Sequence, residues 1–394
     1  MEKIIIINSG SVSKKYALYE GSSLMLSFHF EENITDESDY VLHLGKDNSF
    51  NKDILVDADE YENAFGYMIK LLLENSFIFE NKEIKTVVFR VVAPGEYFTS
   101  DRIINSEFLE KLDEIHEEFP IHIKKMRQEF NQVSDTLDNV KMISISDSRF
   151  HKTLPPKAYT YALPKKISSE LEIRKYGYHG ISISSVVAQI KNDKADIPER
   201  VIVCHLGGGS SVTALKNGES VETSMGYSPL EGIPMSTRVG NIDVGAIISI
   251  ENKMDMDFPE IRNIVYYESG LTGISGKTGD IRTLIELEKD GDNEAKLALD
   301  KFVYEIQKTI GAYITVLGGL DMIIFTGTIG ERSVEIRKRV CRGLEFFGIE
   351  LDEKLNSIND ESFGYINKPY SDVLVEVVNS NEVEEMAKRA LDLI

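Results

Sequence analysis

Two stretches far apart in the chain share one plan, and that repetition limits what the chain can fold into more than any other feature. The first is Lys3-Ile4-Ile5-Ile6-Ile7-Asn8-Ser9-Gly10-Ser11-Val12-Ser13-Lys14-Lys15-Tyr16-Ala17-Leu18. The second is Arg200-Val201-Ile202-Val203-Cys204-His205-Leu206-Gly207-Gly208-Gly209-Ser210-Ser211-Val212-Thr213-Ala214-Leu215. In each, a β-rich run meets a tip of small residues and a second strand-like run follows, the pattern of a β-hairpin. A hairpin duplicated at that separation predicts two similar α/β halves facing one another. The second half continues with strand-like Asp321-Met322-Ile323-Ile324-Phe325, then Thr326-Gly327-Thr328-Ile329-Gly330-Glu331, then a helical pattern from about Ser333 to Phe347. A buried strand feeding a glycine turn and a helix is a common seat for a nucleotide. The charged stretch from about Asn105 to Glu129 has the spacing of a surface helix, and Lys165 to Tyr176, free of Pro and Gly, reads as a helix continuing into the second half. The motifs place the boundary between halves near residue 148.

A chain of 394 residues that is 42% hydrophobic can bury a large core split over two or three domains. Its longest apolar runs, such as Ile4 to Ile7 and Met322 to Phe325, fall far short of the roughly 18 residues that span a bilayer, so no membrane partner is expected. Met1-Glu2-Lys3 leads straight into a strand-like run, without the basic and apolar regions of a signal peptide. Cys204 and Cys341 are the only cysteines, and Cys204 lies in an apolar run, which predicts a reducing, cytoplasmic setting. With 44 basic against 65 acidic residues the net charge of −21 repels nucleic acid and anionic membranes. It does not exclude a small anionic substrate, because a few arginines and backbone amides outweigh the global field within a cleft.

Glycine and serine at a hairpin tip let backbone N–H groups approach phosphate oxygens without a Cβ in the way, and Lys15 adds a point charge beside the first tip. Either tip alone is more often a plain turn, and the two together with the Gly327 to Glu331 loop favour phosphate binding. Arg90 interrupts the apolar strand Val87-Val88-Phe89-Arg90-Val91-Val92, so it must pair with a carboxylate or await an anion. Asp147 follows the β-like Met142-Ile143-Ser144-Ile145, at the strand end where α/β proteins gather their chemistry; a helix cap is the competing role. Tyr176-Gly177-Tyr178-His179-Gly180 presents an imidazole between glycines. Arg238 ends an irregular segment that contains Pro229-Leu230-Glu231-Gly232, and such loops commonly carry function.

The order of these motifs resembles the acetate kinase family over nearly the whole chain. The resemblance rests on Asn8 to Tyr16, on Ser224-Met225-Gly226-Tyr227-Ser228-Pro229-Leu230-Glu231-Gly232 with Thr237-Arg238, on Ser269-Gly270-Leu271-Thr272-Gly273-Ile274-Ser275-Gly276, and on Asp280-Ile281-Arg282. It implies an α/β fold of two ribonuclease-H-like, actin-like ATPase domains around a central cleft. Residues 1–148 plus about 380–394 would form the acyl-substrate side, and 149–379 the side for nucleotide and dimerisation. It further implies reversible phosphoryl transfer between ATP and acetate with Mg²⁺, a homodimer, and roles residue by residue. Asn8 and Glu382 match the metal positions. Arg90, Asp147, His179 and Arg238 match the catalytic ones; Arg90, with Val92, Ile121, His122, Tyr178 and Pro229, also matches the carboxylate substrate's surroundings. His205, Leu206, Gly207, Gly208 and Gly209, then Asp280, Ile281 and Arg282, then Thr328, Ile329, Gly330, Glu331 and Arg332 match the three nucleotide segments.

The sequence departs from the family pattern at Phe89, at Ala93-Pro94-Gly95, at Ile123-Lys124, at Ser146, and at Gly208, Thr328 and Arg332. The last three leave the phosphoryl donor open between ATP and another partner such as pyrophosphate, and the changes beside Arg90 leave the acyl chain open between acetate and propionate or butyrate. A catalytically weak sensor is the reading of another class, against which the retained Asn8, Arg90, Asp147, His179, Arg238 and Glu382 argue.

Overall fold

The computed structural model describes residues 2–9, 13–32, 40–46, 49–116, 120–194, 196–357 and 364–394. The chain divides into two compact units, Met1–Arg149 with Asn381–Ile394, and Phe150–Ser380.

In the first unit the described strands are β1 (Lys3–Ser9), β2 (Ser13–Glu20), β3 (Ser23–Glu32), β4 (Tyr40–Lys46), β5 (Ser49–Val56), β6 (Ile84–Val91), β7 (Arg102–Ile103) and β8 (Lys141–Ser146). They form one sheet in the order β5-β4-β3-β2-β1-β6-β8-β7. The second unit holds β9 (Arg200–Leu206), β10 (Ser210–Lys216), β11 (Glu219–Thr223), β12 (Met322–Thr326) and β13 (Leu374–Val377), in the order β11-β10-β9-β12-β13.

Both sheets contain the same core. A three-stranded antiparallel meander, β3-β2-β1 or β11-β10-β9, is extended beyond its first strand by two parallel strands, β6 and β8 or β12 and β13. The reason is visible in the sequence. Ile4 to Ile7, Val201 to Cys204 and Met322 to Phe325 are apolar on both faces and fully buried, as strands covered on both sides must be. The β10–β11 hairpin closes through Asn217-Gly218, both at positive φ, the pairing a two-residue turn requires. Over the second sheet lies the helix Asn293–Leu317, capped by Asp292 and ended by left-handed Gly318; its Leu299, Phe302, Ile306 and Ile310 share one core with Ile202, Cys204, Ile323 and Phe325.

Three helical expectations are corrected. Asn105 to Glu129 is not one helix: Ser106–Glu114 ends, and Pro120, which cannot sit inside a helix, opens a second one, Pro120–Thr136. Lys165 to Tyr176 is helical only over Lys165–Glu170, because the chain turns at positive-φ Glu172 so that the N–H groups of Tyr176 and Gly177 reach the Gly226 carbonyl at 3.1 and 3.2 Å. The pattern from Ser333 to Phe347 splits into Val334–Cys341, with Ser333 as its cap, and a single turn Glu345–Phe347 beyond Gly343 at φ +93°. The glycine turn before it is itself a short helix, Gly327–Arg332.

Two arginines fasten the scaffold. Arg389, on the terminal helix Glu382–Leu391, forks onto Asp101, which also accepts from Ser146 N–H and Arg149; Arg389 Nη2 reaches the Ser146 carbonyl as well. Arg337, 2% exposed, has no carboxylate in its fork among the described residues: Nε donates to Asn356 Oδ1, Nη2 to the Asn356 carbonyl, and Nη1 to the Gly330 and Glu331 carbonyls.

Burial raises the Asp101 carboxyl, but the Arg389 guanidinium, Ser146 N–H and Arg149 outweigh it and hold it below its ordinary 3.8. A carboxyl lowered in the folded state stabilises above its unfolded value and loses that contribution as pH falls through the folded one. The stability difference between wild type and Asp101→Asn, from urea unfolding, should therefore be full at pH 6 and shrink as the pH drops below 3.8. Arg337→Ala, which takes the donor from four acceptor oxygens, is expected to cost about 3 kcal/mol in the same assay, and Arg337→Lys should not rescue it, since one ammonium cannot reproduce the fork.

Candidate active site

In the first unit, three polar side chains stand at the C-terminal ends of the three neighbouring parallel strands. Asn8 is near the end of β1, Arg90 near the end of β6, and Asp147 directly after β8. Arg90 Nη2 donates to Asp147 Oδ2 at 2.9 Å, with the two side chains 15% and 1% exposed. Arg90 Nη1 donates to Asn8 Oδ1 at 3.3 Å, and Asn8 Nδ2 donates to Glu382 Oε2 at 2.6 Å. Burial disfavours the Arg90 charge, yet Asp147 and Glu382 together raise the guanidinium above its ordinary range, so it is a permanent cation. Its Nε is buried and has no acceptor among the described residues. Glu382 begins the terminal helix that Arg389 ties down. Lys15 is paired directly opposite Asn8 in the antiparallel ladder, so its exposed side chain projects from the same face. Val92 follows Arg90 in the chain and is half-buried. Gly10 to Val12 lie outside the described residues, as do the side chains of Ile121 and His122.

Asn8 and Glu382 offer hard oxygen donors of the kind Mg²⁺ takes. Among the described residues no cluster of three or more His, Cys, Asp or Glu is arranged to hold a metal. Mg²⁺ commonly keeps one or two protein oxygens and fills its shell with phosphate and water, and an amide oxygen with a carboxylate is such a pair.

In the second unit, His179 has φ +61°, a conformation few residues other than glycine adopt. It is held there from both sides. The preceding carbonyl, of Tyr178, is bonded by His151 Nε2 at 2.9 Å, and His151 Nδ1 lies 2.9 Å from Ser220 Oγ. His179 Nδ1 meets Ser211 Oγ at 3.0 Å, its ring lies 4.1 Å from that of His205, and His205 Nδ1 meets Ser182 Oγ at 2.8 Å. In the tautomer where the Ser211 hydroxyl donates to Nδ1, His179 Nε2 carries the proton and is the donor.

That donor has a destination. A side chain on Gly209 would meet His179 Nε2 at 3.3 Å and Arg238 Nη1 at 3.4 Å. The missing Cβ therefore keeps open the point on which an imidazole N–H and a guanidinium converge. Arg238 also donates to the Pro229 carbonyl at 3.3 Å, and the Tyr178 hydroxyl donates to the Tyr227 carbonyl at 2.7 Å. Tyr178 and Pro229 are both buried. The Arg238 segment rests on the chain around Gly270, where Leu271 N–H and Thr272 N–H donate to Met235 and Ser236 carbonyls. A Cβ on Gly270, at φ +61°, would overlap the Met235 carbonyl, so glycine is required.

The three segments that the resemblance matches to nucleotide lie around this point. Ser236 N–H donates to the Gly208 carbonyl at 3.3 Å, and Gly279 packs against Ser236. Gly207 faces the Gly209 carbonyl and the Thr328 N–H. His205, Leu206 and Gly207 close β9, with the Leu206 side chain in the core. The Asp280 side chain caps the helix Ile281–Lys289 and is gripped by Arg282, which, against burial, lowers its carboxyl below the usual value. The Ile281 side chain is a core residue, leaving only its backbone for a ligand. Thr328 and Arg332 are exposed and Ile329 half-buried, while the Gly330 carbonyl is taken by Arg337. Glu331 Oε1 accepts from Gly327 N–H at 2.9 Å and Ser380 N–H at 3.1 Å, bracing the ends of β12 and β13.

Sequence reasoning singled out neither His151 nor Ser211, Ser182 and Arg337 as site residues. Ser211 lies within the second hairpin segment and Ser182 two residues beyond Gly180, so only Ser211 was inside a motif. The contacts of His151 span long stretches of chain and left no local pattern.

The acetokinase family model matches residues 3–388. The acetate kinase of Thermoanaerobacterium thermosaccharolyticum is 37% identical over 393 residues, 98% of this chain and 97% of its own. That of Bacillus subtilis is 36% identical over 398 residues, all of both chains. Among solved structures, Porphyromonas gingivalis acetate kinase superposes with a TM-score of 0.84 at 30% identity, and a Francisella tularensis propionate kinase with 0.87 at 31%, each covering 100% of both chains. Because the family model and these relatives match the chain from end to end, the chain belongs to the acetokinase family.

Proposed function

We propose that this chain catalyses reversible phosphoryl transfer between ATP and acetate, giving acetyl phosphate and ADP by direct in-line displacement. The observation that supports the reading best is the convergence of His179 Nε2 and Arg238 Nη1 on the open position at Gly209. A carboxylate oxygen forms the new P–O bond to the γ-phosphorus, and the bond to the bridging oxygen breaks, its electron pair leaving with ADP. Charge spreads over the three equatorial oxygens, where Arg90, Arg238 and the His179 N–H stabilise it. The nucleophile has a pKa near about 4 to 5, by analogy with Glu, and is ionised at neutral pH, so no general base is needed. Asp147 instead orients Arg90 through the 2.9 Å contact. Asn8 and Glu382 would hold Mg²⁺, which when bound supplies charge neutralisation on the phosphates.

The segments from His205 to Gly209, Asp280 to Arg282 and Thr328 to Arg332 are assigned to ATP or ADP, with Lys15 an outlying phosphate contact. Val92, Tyr178 and Pro229, with Ile121 and His122, are assigned to the carboxylate's surroundings. The likeness to a propionate kinase keeps propionate as the second acyl substrate to test. The setting is taken to be the cytoplasm; among the described residues no helix is long and apolar enough to cross a membrane.

A homodimer through the second unit is part of the same reading. The helix Val244–Met254 buries none of its residues, and Val244 and the nearby Phe258 are 70% and 66% exposed. Apolar surface on that scale commonly marks an interface.

Arg90→Ala and Arg238→Ala should each lower kcat by about a hundredfold or more in an acetyl phosphate, Mg²⁺ and ADP assay coupled to ATP detection. Near-normal turnover in either variant would sink the assignment, and pyrophosphate formed from acetyl phosphate and phosphate, without ATP, would change the phosphoryl partner. Wild-type protein should run as a dimer in sedimentation at micromolar concentration, and Ile248→Asp with Phe258→Asp should shift it to monomer; an unshifted dimer moves the interface elsewhere.

A further inference from the structure

The loop that carries Pro229 is held by a device outside the residues assigned to substrate. Tyr161 Oη accepts from Tyr227 N–H at 2.9 Å and donates to Glu231 Oε2. One phenol thus joins the two ends of the turn from Tyr227 to Glu231, with Pro229 at its middle. The outer fastenings of the same loop are Gly226, whose carbonyl accepts from Tyr176 and Gly177, and Gly232, whose N–H donates to Asn241 Oδ1 at 3.0 Å. The chain has made room for the phenol: a Cβ on Gly226 would overlap both Glu231 Oε2 and Tyr161 Oη, so this glycine of the Ser224–Gly232 segment is the cavity in which the pair sits. Burial, and then the Glu231 charge, raise the Tyr161 hydroxyl above its ordinary value, so it stays protonated and keeps donating. The inner face of the turn is tied to Tyr178 through its hydroxyl on the Tyr227 carbonyl, and to Arg238 through the Pro229 carbonyl.

We propose that Tyr161 is a positioning residue that sets carboxylate affinity and chain-length preference by clamping the Tyr227–Glu231 turn through Glu231, a role that rests on the acyl-kinase reading above. Without the hydroxyl, Glu231 loses its donor and Tyr227 N–H its acceptor. The turn relaxes, Pro229 withdraws from Tyr178, and the seat for a two-carbon acid widens. The nucleotide segments are not tied to the turn by these bonds, so nucleotide affinity is spared.

The test is initial-rate kinetics of the full-length protein with Mg²⁺ and ATP, against acetate and propionate, in wild type, Tyr161→Phe and Glu231→Gln. Tyr161→Phe should raise the acetate KM about tenfold, the scale of a lost hydrogen bond to a charged group, while the ATP KM stays within about twofold. The ratio of acetate to propionate kcat/KM should fall. Glu231→Gln, which keeps a carbonyl acceptor for the phenol, should lie closer to wild type in both measures. A merely structural role would lower the melting temperature and the active fraction while moving neither the acetate KM nor the ratio, and that result overturns the proposal. So does a parallel rise of both KM values. If Tyr161→Phe does not fold, Glu231→Ala, which removes the acceptor of the phenol, takes its place: the acetate KM should rise with the ATP KM spared, and an unchanged acetate KM overturns the clamp. Wild-type protein inactive on both acids would overturn the acyl-kinase reading itself.

Discussion

A guanidinium inside an apolar strand needs a partner, and most of the first unit can be understood as the means of supplying one to Arg90. Its carboxylate comes from the neighbouring parallel strand: β6 and β8 run in register from Thr86 with Lys141 to Val91 with Ser146, which brings Asp147 beside Arg90 at the strand ends. On the other flank, β1 brings Asn8. The fourth member, Glu382, arrives only because the chain leaves the unit at Arg149 and returns at Asn381. The return is itself fixed by charge, through Arg389 on Asp101, and Asp101 holds the backbone of Ser146 immediately before Asp147. Buried ion pairs gain little net stability, but removing one partner is costly, so such a network defines a single arrangement even where it adds little free energy.

The second unit uses the same strand order with the opposite tactic. Where the first unit gathers charged side chains at its strand ends, the second gathers backbone and glycine. Gly207 and Gly209 end and follow β9, Gly327 follows β12, and the brace between β12 and β13 is the Glu331 carboxylate, which satisfies N–H groups of Gly327 and Ser380. The side chains that face Gly209 come from outside these turns. His179 is delivered in strained backbone by His151 and Ser211, and Arg238 by the packing of its segment on Gly270. Strain of this kind persists only where surrounding bonds over-determine it.

What the sequence disclosed follows from how far each constraint reaches. The hairpins were legible because strand period and tip residues are local, and Asp147 because a strand end is local too. Helix ends were misjudged at Pro120, Glu172 and Gly343, where one residue's backbone preference or a distant carbonyl decides the stop. The clamps around His179 and Pro229 were hidden because His151, Ser220, Tyr161 and Glu231 meet only after folding. Some departures from the family pattern have a packing cause: Phe89 stacks edge-on to Phe130 at 4.7 Å, Ile123 is wholly buried, and Ser146 Oγ donates to the Phe98 carbonyl at 2.5 Å. Gly208, Thr328 and Arg332 are exposed instead, so their departure is free to act on what the loops bind.

The acidity of the chain fits this division of labour. Arg90, Asp147 and Glu382 together carry one more negative than positive formal charge, so this cluster does not favour a bare anion. In the proposed reaction a cation and a phosphoryl group would be held there together, the oxygens of Asn8 and Glu382 serving the metal. Around Gly209 the described groups are a guanidinium, an imidazole N–H and glycine backbone, which favour negative charge without any metal ligand. A net charge of −21 is therefore compatible with an anionic reaction, because the field that matters is set within a few ångströms by groups whose pairing the fold dictates, while the remote surface carboxylates are screened by salt beyond about 10 Å.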